Sequence, residues 1–176
     1  GAILEYSNFN EACLTRTRFT GAKKLERARP GNTYLSHFPL LELLTIPKSA
    51  YTIDLSYKNL RGVYLVNANL ESANLSNADL ADADLTDTNL KRANFREANC
   101  VGTCFTRAYL TGACLEAWNI DPNTIFWDVD CQHVFLLDKS NANGSRERRP
   151  HDPNRTFKPG DFEKLFSEAA NLVELL

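Results

Sequence analysis

The sequence predicts an all-β fold in which the backbone winds as a four-sided coil of twenty residues per turn. Between Asn67 and Leu90, leucine recurs at every fifth position and nowhere between. In an α-helix five residues turn through about 500°, so these leucines would spread around the cylinder. In a strand an odd spacing would alternate them between two faces. One apolar surface results only if each five residues form a short straight segment and a corner of roughly 90°.

The same register holds over a much longer stretch. From Leu55 to Ile120, the fifth position is always apolar, and we call this position the centre. A small residue usually stands two positions earlier, and the two side chains share the inner face of a short strand. Asn or Asp usually directly precedes the centre, points outward and is suited to tight turns. The alternation therefore directs Cys100 inward and Cys104 outward.

The ends of the chain depart from this register. Residues 1–26 predict one N-terminal coil, and 27–52 a linker with a possible short helix at Ser36–Thr45. This coil either caps the block 53–120 or ends a longer solenoid. We favour the longer solenoid, because the chain lacks methionine and begins inside a repeat, as a fragment or processed chain would.

Beyond Ile120 the five-residue rhythm fades. Residues 121–138 predict a cap over the last coil, and Trp118 is expected to mark that coil and plug its end. Residues 139–160 are polar and predict a mobile loop. Residues 161–176 carry apolar side chains at helical spacing and predict an amphipathic α-helix.

The repeated pattern A-(D/N)-L-x-x resembles the pentapeptide-repeat family. The resemblance implies a right-handed quadrilateral β-helix, in which residues twenty apart stack at a rise of about 4.8 Å. The segment "TGACLEAWNI", with "RERRP" and "FKPGDFEKLF" downstream, is similar to cyanobacterial members with a C-terminal extension. The resemblance assigns no chemistry to individual residues.

Composition narrows the possible functions. The formal net charge is −2, which argues against nonspecific binding to nucleic acid. No apolar run reaches the length of a membrane span, and no secretory signal pattern is present. The five cysteines lack the spacing of a zinc site, and no phosphate loop or dinucleotide fingerprint is present, so we expect no metal and no cofactor. The odd number of cysteines favours a reduced, cytoplasmic setting.

The most prominent charge feature is acidic, and we call it the acidic set. It lies within seventeen residues that contain no Lys, Arg or His, and comprises Glu71, Asp79, Asp82, Asp84 and Asp87. We interpret these first as solvated turn residues, second as a surface for a protein partner, and last as a cation site. Calcium prefers oxygen ligands, so Asp82 and Asp84 are the pair that could share one. Tyr64 and Tyr109 replace the usual Asn or Asp and extend the candidate partner surface.

Two other polar groups could be functional. A basic stretch could contact an acidic partner, although a solvated loop is favoured; it comprises Arg146, Arg148, Arg149, Arg155 and Lys158. His37, His133 and His151 lie in separate regions, and none accompanies a convincing nucleophile. Together with an axis filled by side chains, this argues against an enzyme.

Two functional hypotheses follow. The first is a non-catalytic scaffold that binds a protein partner of unknown identity, with possible dimerisation through the terminal helix or the cap. The alternative is a DNA-mimic inhibitor of a topoisomerase such as gyrase, an activity that some members of the pentapeptide-repeat family show. A weaker third is a folding or assembly factor that binds through the terminal helix. All three assume no direct contact with nucleic acid or membrane.

Overall fold

The backbone pairs with itself at a regular distance along the chain. In the computed structural model, which describes residues 2–19, 22–29, 31–36 and 53–173, parallel bridges join Asp54 to Asn74, Asn74 to Asn94 and Asn94 to Cys114. Three further series of bridges follow at five-residue steps, beginning at Asn59, Tyr64 and Asn69. Each coil therefore has four short segments, and the predicted stacking of residues twenty apart is confirmed.

The corners explain why the repeat has five residues. The second residue after each centre adopts a positive φ, for example 60° at Ser72 and 57° at Asn77. The next amide then donates to the centre carbonyl, as Ala73 N does to Leu70 O at 3.0 Å. Where Asn or Asp precedes the centre, its side-chain oxygen usually accepts a further turn amide, as Asn69 does from Glu71 N at 3.2 Å. Local hydrogen bonds thus form each corner.

The axis of the coil is filled by side chains. Leu70, Leu80 and Leu90 are fully buried, as are Phe95 and Phe105. Thr88 and Thr103 occupy positions where alanine is usual, and each hydroxyl donates to a carbonyl of the preceding coil, at 2.9 and 2.8 Å. No buried side-chain nitrogen or oxygen lacks a partner within the described residues. The predicted orientations of Cys100 (buried) and Cys104 (partly exposed) are confirmed.

The N-terminal residues form a coil that stacks on the main block. Ile3 pairs with Lys23 and Asn8 with Arg29, so pairing extends past the boundary predicted at residue 26. One 3-10 turn lies between these two bridges, at Leu25–Arg27, and a second follows at Tyr34–Ser36. Arg16 N donates to Gly62 O at 2.5 Å, so this coil covers the start of the main block. Apart from Ser36, the helix predicted at Ser36–Thr45 lies outside the described residues.

The interpretation of residues 121–138 as a cap without the repeat is wrong. Cys104 pairs with Ile125 and Tyr109 with Asp130, so the coil continues with a spacing of twenty-one residues instead of twenty. Phe126 is buried as the new centre. One additional residue shifts the register, and a strict count of five therefore loses the repeat.

The polar segment after this coil is ordered by backbone pairing. Strand β1, Val134–Phe135, pairs antiparallel with strand β2, Arg148–Arg149. Only β2 lies inside the predicted mobile loop 139–160. Phe135 also bridges Cys114, so β2 covers an edge that the coil would otherwise leave open. Residues 148–149 of the predicted loop 139–160 thus form a strand, whereas the mobility of the loop stays a prediction.

A helix packs against the aromatic residues at the C-terminal end of the coil. Helix α1, Asp161–Val173, buries Phe162 and Phe166, while Leu165 is 42% exposed. The Phe166 ring lies 5.4 Å from that of Trp118. Trp118 therefore packs near the end of the solenoid, but it does not mark the last coil, because the turn around Phe126 follows it. In the described part of the chain no helix has the length and apolar character needed to cross a membrane.

Candidate interaction surface

The corner residues of the acidic set pair with arginines from neighbouring coils. Asp82 lies 2.5 Å from the Arg61 guanidinium, and Glu71 forms an ion pair with Arg92. Asp87 accepts two hydrogen bonds from Arg107, both at 2.7 Å. Stacking brings each pair together, because the partners are twenty or twenty-one positions apart in sequence.

The Asp87–Arg107 pair is the best defined of the three. Both guanidinium contacts reach separate carboxylate oxygens, which is the strongest geometry for such a pair. Hydrogen bonding from Arg107 holds the pKa of Asp87 below its usual value, and Asp87 in turn raises the pKa of Arg107. Both side chains stay partly exposed, so solvent limits the stabilisation that the pair provides.

The other two members of the acidic set serve the turns. Asp79 Oδ1 accepts from Ala81 N at 3.1 Å and from the Asn99 amide at 2.9 Å. Asp84 Oδ1 accepts from Thr86 N at 3.1 Å. These contacts match the favoured interpretation of the acidic residues as turn residues.

The acidic set is therefore not a bare anionic surface. Three of its carboxylates face guanidinium groups and two are engaged in turn hydrogen bonds. The seventeen-residue window hid this, because the neutralising arginines lie outside it in sequence. Counting one coil forward or backward from each acid would have found them.

The cation alternative gains no support from the geometry. Asp82 contacts Arg61, and Asp84 bonds to a turn amide. Among the residues that the structure describes, no group of three or more His, Cys, Asp or Glu is arranged to hold a metal ion.

The two candidate tyrosines are not brought together. Tyr64 pairs with Asp84 on one side of the coil, and Arg18 of the N-terminal coil lies 4.8 Å from its ring centre. Tyr109 pairs with Asn89 on another side and is 39% exposed. They thus lie on different sides of the coil, each as a separate outward-facing ring.

The most exposed large apolar side chains were missed by the sequence reasoning. They lie mainly at corners, which the repeat usually fills with polar or small residues: Ile3 (67%), Tyr6 (70%), Tyr57 (76%) and Trp127 (68%). Tyr57 could have been found as a bulky aromatic residue two positions after the centre Leu55. Exposed aromatic rings of this kind are common contact residues in protein interfaces.

The basic stretch is used largely within the chain. The Arg148 guanidinium donates to the carbonyls of Pro150, Asp152 and Arg155, which holds the segment after β2 in place. Arg149 lies 3.5 Å from Glu147. The stretch therefore does not form one free basic patch.

The cysteines of the described chain divide into an exposed and a buried group. Cys13 is exposed, and hydrogen bonds with Thr15 lower its pKa, which favours the thiolate. Burial raises the pKa of Cys131 to about 12 and also raises the pKa values of Cys100 and Cys114. A high pKa disfavours the reactive thiolate. His151 is exposed, whereas His37 lies outside the described residues.

His133 lines a groove that the sequence did not indicate. The groove has a volume of about 400 Å³, and three separate segments form its walls, 91–94, 111–114 and 133–146. We call it the cationic groove, after Lys91, Arg92 and Arg146 in its lining. No local pattern could have revealed it, since the coil stacking and the β1–β2 connection assemble it.

The stacked coils and their four series of parallel bridges define a class of protein, the β-helical solenoids. Residues 53–80 and 73–112 match the family model of pentapeptide repeats, with eight copies. Residues 53–112 of the chain are therefore pentapeptide repeats, which implies a right-handed β-helix for this part. Proteins with such repeats are generally structural or interaction proteins. A sequence comparison with curated proteins finds no significant match.

Solved structures of pentapeptide-repeat proteins are similar to this chain. One, from the thylakoid lumen of Arabidopsis thaliana, is 26% identical over 52% of this chain and 67% of its own, with a TM-score of 0.34. HetL of the cyanobacterium Nostoc, involved in heterocyst differentiation regulation, is 22% identical over 78% and 65%, with a TM-score of 0.39. Rfr23 of the cyanobacterium Cyanothece is 26% identical over 74% and 81%, with a TM-score of 0.38.

Proposed function

We propose that this protein is a non-catalytic scaffold that binds a protein partner through the outer surface of its solenoid. The proposal takes the solenoid to be the right-handed quadrilateral form, closed at its C-terminal end by the amphipathic helix α1. The partner is a protein, with no direct role for nucleic acid, membrane or cofactor.

The filled axis is the observation that supports this function best. The centres of the main block are buried, and leucines from Leu70 to Leu90 have no exposed surface. Substrates therefore have no room inside the coil, and recognition must use outward side chains. Repeat proteins commonly bind in this way, because stacking presents side chains in regular columns on a continuous surface.

Exposed aromatic residues are the strongest candidate contacts. Tyr57, Trp127 and Tyr109 project from the described surface, and tyrosine and tryptophan are enriched among the residues that dominate binding energy. The acidic set contributes less to the proposed surface than the sequence suggested, because Arg61, Arg92 and Arg107 already neutralise part of it. Polar residues of this kind would set specificity at the rim of an interface.

The same ion pairs argue against the alternative of DNA mimicry. A DNA mimic must present uncompensated negative charge to the basic groove of its target. Carboxylates that are already paired with arginines attract such a groove only weakly, and salt at 0.1 M screens exposed charges beyond about 10 Å. We therefore expect no inhibition of gyrase supercoiling at micromolar concentration. Inhibition that disappears in the Asp79, Asp82, Asp84 and Asp87 to Asn variant would favour mimicry instead.

The cytoplasm is the proposed location. All five cysteines are free, with Cys13 exposed, and exposed thiols persist most readily in a reducing compartment. Self-association through α1 is a second proposed arrangement, since Leu165 is 42% exposed on its surface. Light scattering of the purified chain separates a dimer from a monomer.

Proximity labelling in the native host tests the scaffold proposal. We expect a reproducible protein partner whose recovery falls when Tyr57, Tyr109 or Trp127 is replaced by alanine. Lys58→Gln serves as the control, because Lys58 is also exposed but carries no ring. Recovery should survive about 0.5 M salt, where exposed charge pairs are screened. Labelling without any specific partner would contradict the proposal.

A further inference from the structure

The cationic groove has an open floor that a glycine maintains. Gly112 has a φ of +79°, and an added Cβ would lie 3.3 Å from Arg92 Cγ and 3.8 Å from His133 Nε2. Any side chain at this position would therefore enter the groove. The volume of about 400 Å³ falls within the range typical of small-ligand sites, ~300–1,000 Å³.

Two cations in the lining have no carboxylate partner among the described residues. Lys91 Nζ lies 5.4 Å from the centre of the Tyr109 ring, and Arg146 Cζ lies 4.2 Å from that of Phe135. Arg146 Nε donates to Leu137 O at 3.1 Å, which fixes the side chain and leaves both terminal nitrogens without a described partner. The guanidinium is thus held in position with its outer donors free.

The remaining polar groups in the lining also favour an anion. Arg92 contributes a third cation, already paired with Glu71. His133 makes no side-chain hydrogen bond to a described residue, and burial, assisted by the charge of Arg148, lowers its pKa. Its neutral ring therefore supplies one N–H donor at pH 7.

The carboxylate in the lining does not cancel these donors. Asp138 Oδ1 accepts from the Asn94 amide at 3.3 Å, and Asp138 forms no ion pair with Lys91 or Arg146. The aromatic faces are already covered, because Arg146 lies over Phe135 and Lys91 over Tyr109. Recognition in the groove therefore depends on charge and hydrogen bonds, with little scope for stacking a flat ring.

We propose that the cationic groove binds the phosphate group of a small phosphorylated molecule. Two unpaired cations match a dianion better than a monocarboxylate, and a phosphate monoester carries roughly −1.5 to −2 at pH 7. A fixed guanidinium and a nearby ammonium are the usual side chains for binding phosphate oxygens. The groove adjoins the proposed partner surface at Tyr109, over which Lys91 lies, whereas Tyr57 and Trp127 are not part of its lining. The phosphate proposal is therefore tested independently of the partner by titration of the purified chain.

Isothermal titration of the full chain at pH 7.5 tests the site. The probes are inorganic phosphate and glucose 6-phosphate, with sodium acetate at equal ionic strength as the monoanion control. We expect both phosphates to bind and acetate to bind at least tenfold more weakly. Equal affinity for both phosphates assigns the site to the phosphate group alone, whereas tighter binding of the sugar phosphate assigns it to a monoester.

Variants locate the binding. Lys91→Gln and Arg146→Gln should each weaken phosphate binding about tenfold or more, the effect of losing one charge-assisted hydrogen bond. Lys58→Gln, which removes an exposed charge elsewhere, should leave it unchanged. Thermal melting checks folding, and if Arg146→Gln fails to fold, Lys91→Gln decides alone. Absence of phosphate binding at 10 mM, equal binding of acetate, or full binding by Lys91→Gln would overturn the proposal.

Discussion

The middle coils and the C-terminal end of this protein are held together in different ways. From Asp54 to Asn119 every bridge spans twenty residues, and each corner forms from its own five-residue unit. After Asn119 the spacing becomes twenty-one, and contacts between distant segments take over. Phe126, Phe162 and Phe166 pack against one another there, and β2 pairs with β1.

The contrast shows two sources of order in one solenoid. In the middle, the same small and large side chains recur, so each coil supports its neighbours in the same manner. Beyond Phe135, the described residues add no further coil over the last apolar surface. Individual aromatic contacts must therefore replace the repeat, and a helix supplies them.

The largest expected effect comes from a charge in the middle of the axis. Leu85→Lys buries an ammonium with no partner beside the fully buried Phe105, and should destabilise the protein by more than about 4 kcal/mol or prevent folding. Asp82→Ser is the control. It removes the exposed Arg61 pair and should cost within about 1 kcal/mol. Urea unfolding measures both, and equal losses would contradict the inward and outward assignment.

A smaller and more local effect is expected at the end. Phe166→Ala removes a buried ring that contacts Trp118 and Phe162, and should cost about 3 kcal/mol. Leu165→Ala, on the exposed side of α1, should cost less than about 1 kcal/mol. Hydrogen exchange should show lost protection around residues 121–135 while the middle coils stay protected. Loss throughout the solenoid would mean that the two regions unfold as one.

Substitution of Thr103 tests whether the middle coils require the hydrogen bond of a buried hydroxyl. Thr103→Val removes the hydrogen bond to Leu80 O and leaves that carbonyl without this donor, which should cost about 1 kcal/mol. Thr103→Ala restores the residue type usual at this position and is the matched comparison. A stabilised valine variant would show that volume, and not the hydrogen bond, decides the fit.

The smallest effect concerns pH. The pKa of Asp87 is lowered by Arg107, so the pair stabilises the folded state above the unfolded pKa of aspartate, about 4. This contribution is lost as the pH falls through the lower, folded pKa. Asp87→Asn should therefore unfold with a weaker dependence on pH in that acidic range.

Arg107→Gln is the partner variant for this test. It should show the same weaker dependence, because either change removes the pair. Acid titration of stability for both variants and the parent measures the effect. An unchanged dependence in both would show that the exposed pair contributes nothing measurable.

The sequence alone determined the regular part of this protein. The leucine spacing, the Asn or Asp before each centre and the inward direction of Cys100 all follow from interactions within five residues or between equivalent units. These interactions are local and recur in every unit, so one sequence contains enough copies of the pattern to reveal them. The turn roles of Asp79 and Asp84 follow from the same pattern.

Only the tertiary structure decided which charges meet and where the coil ends. Arg107 neutralises Asp87 because stacking brings residues twenty apart into contact, and the one-residue shift beyond Asn119 carried the coil past its predicted limit. The cationic groove joins Lys91 to Arg146, which are far apart in sequence. These features depend on which residues of different coils lie close together in space. The order of residues within one five-residue unit does not determine this.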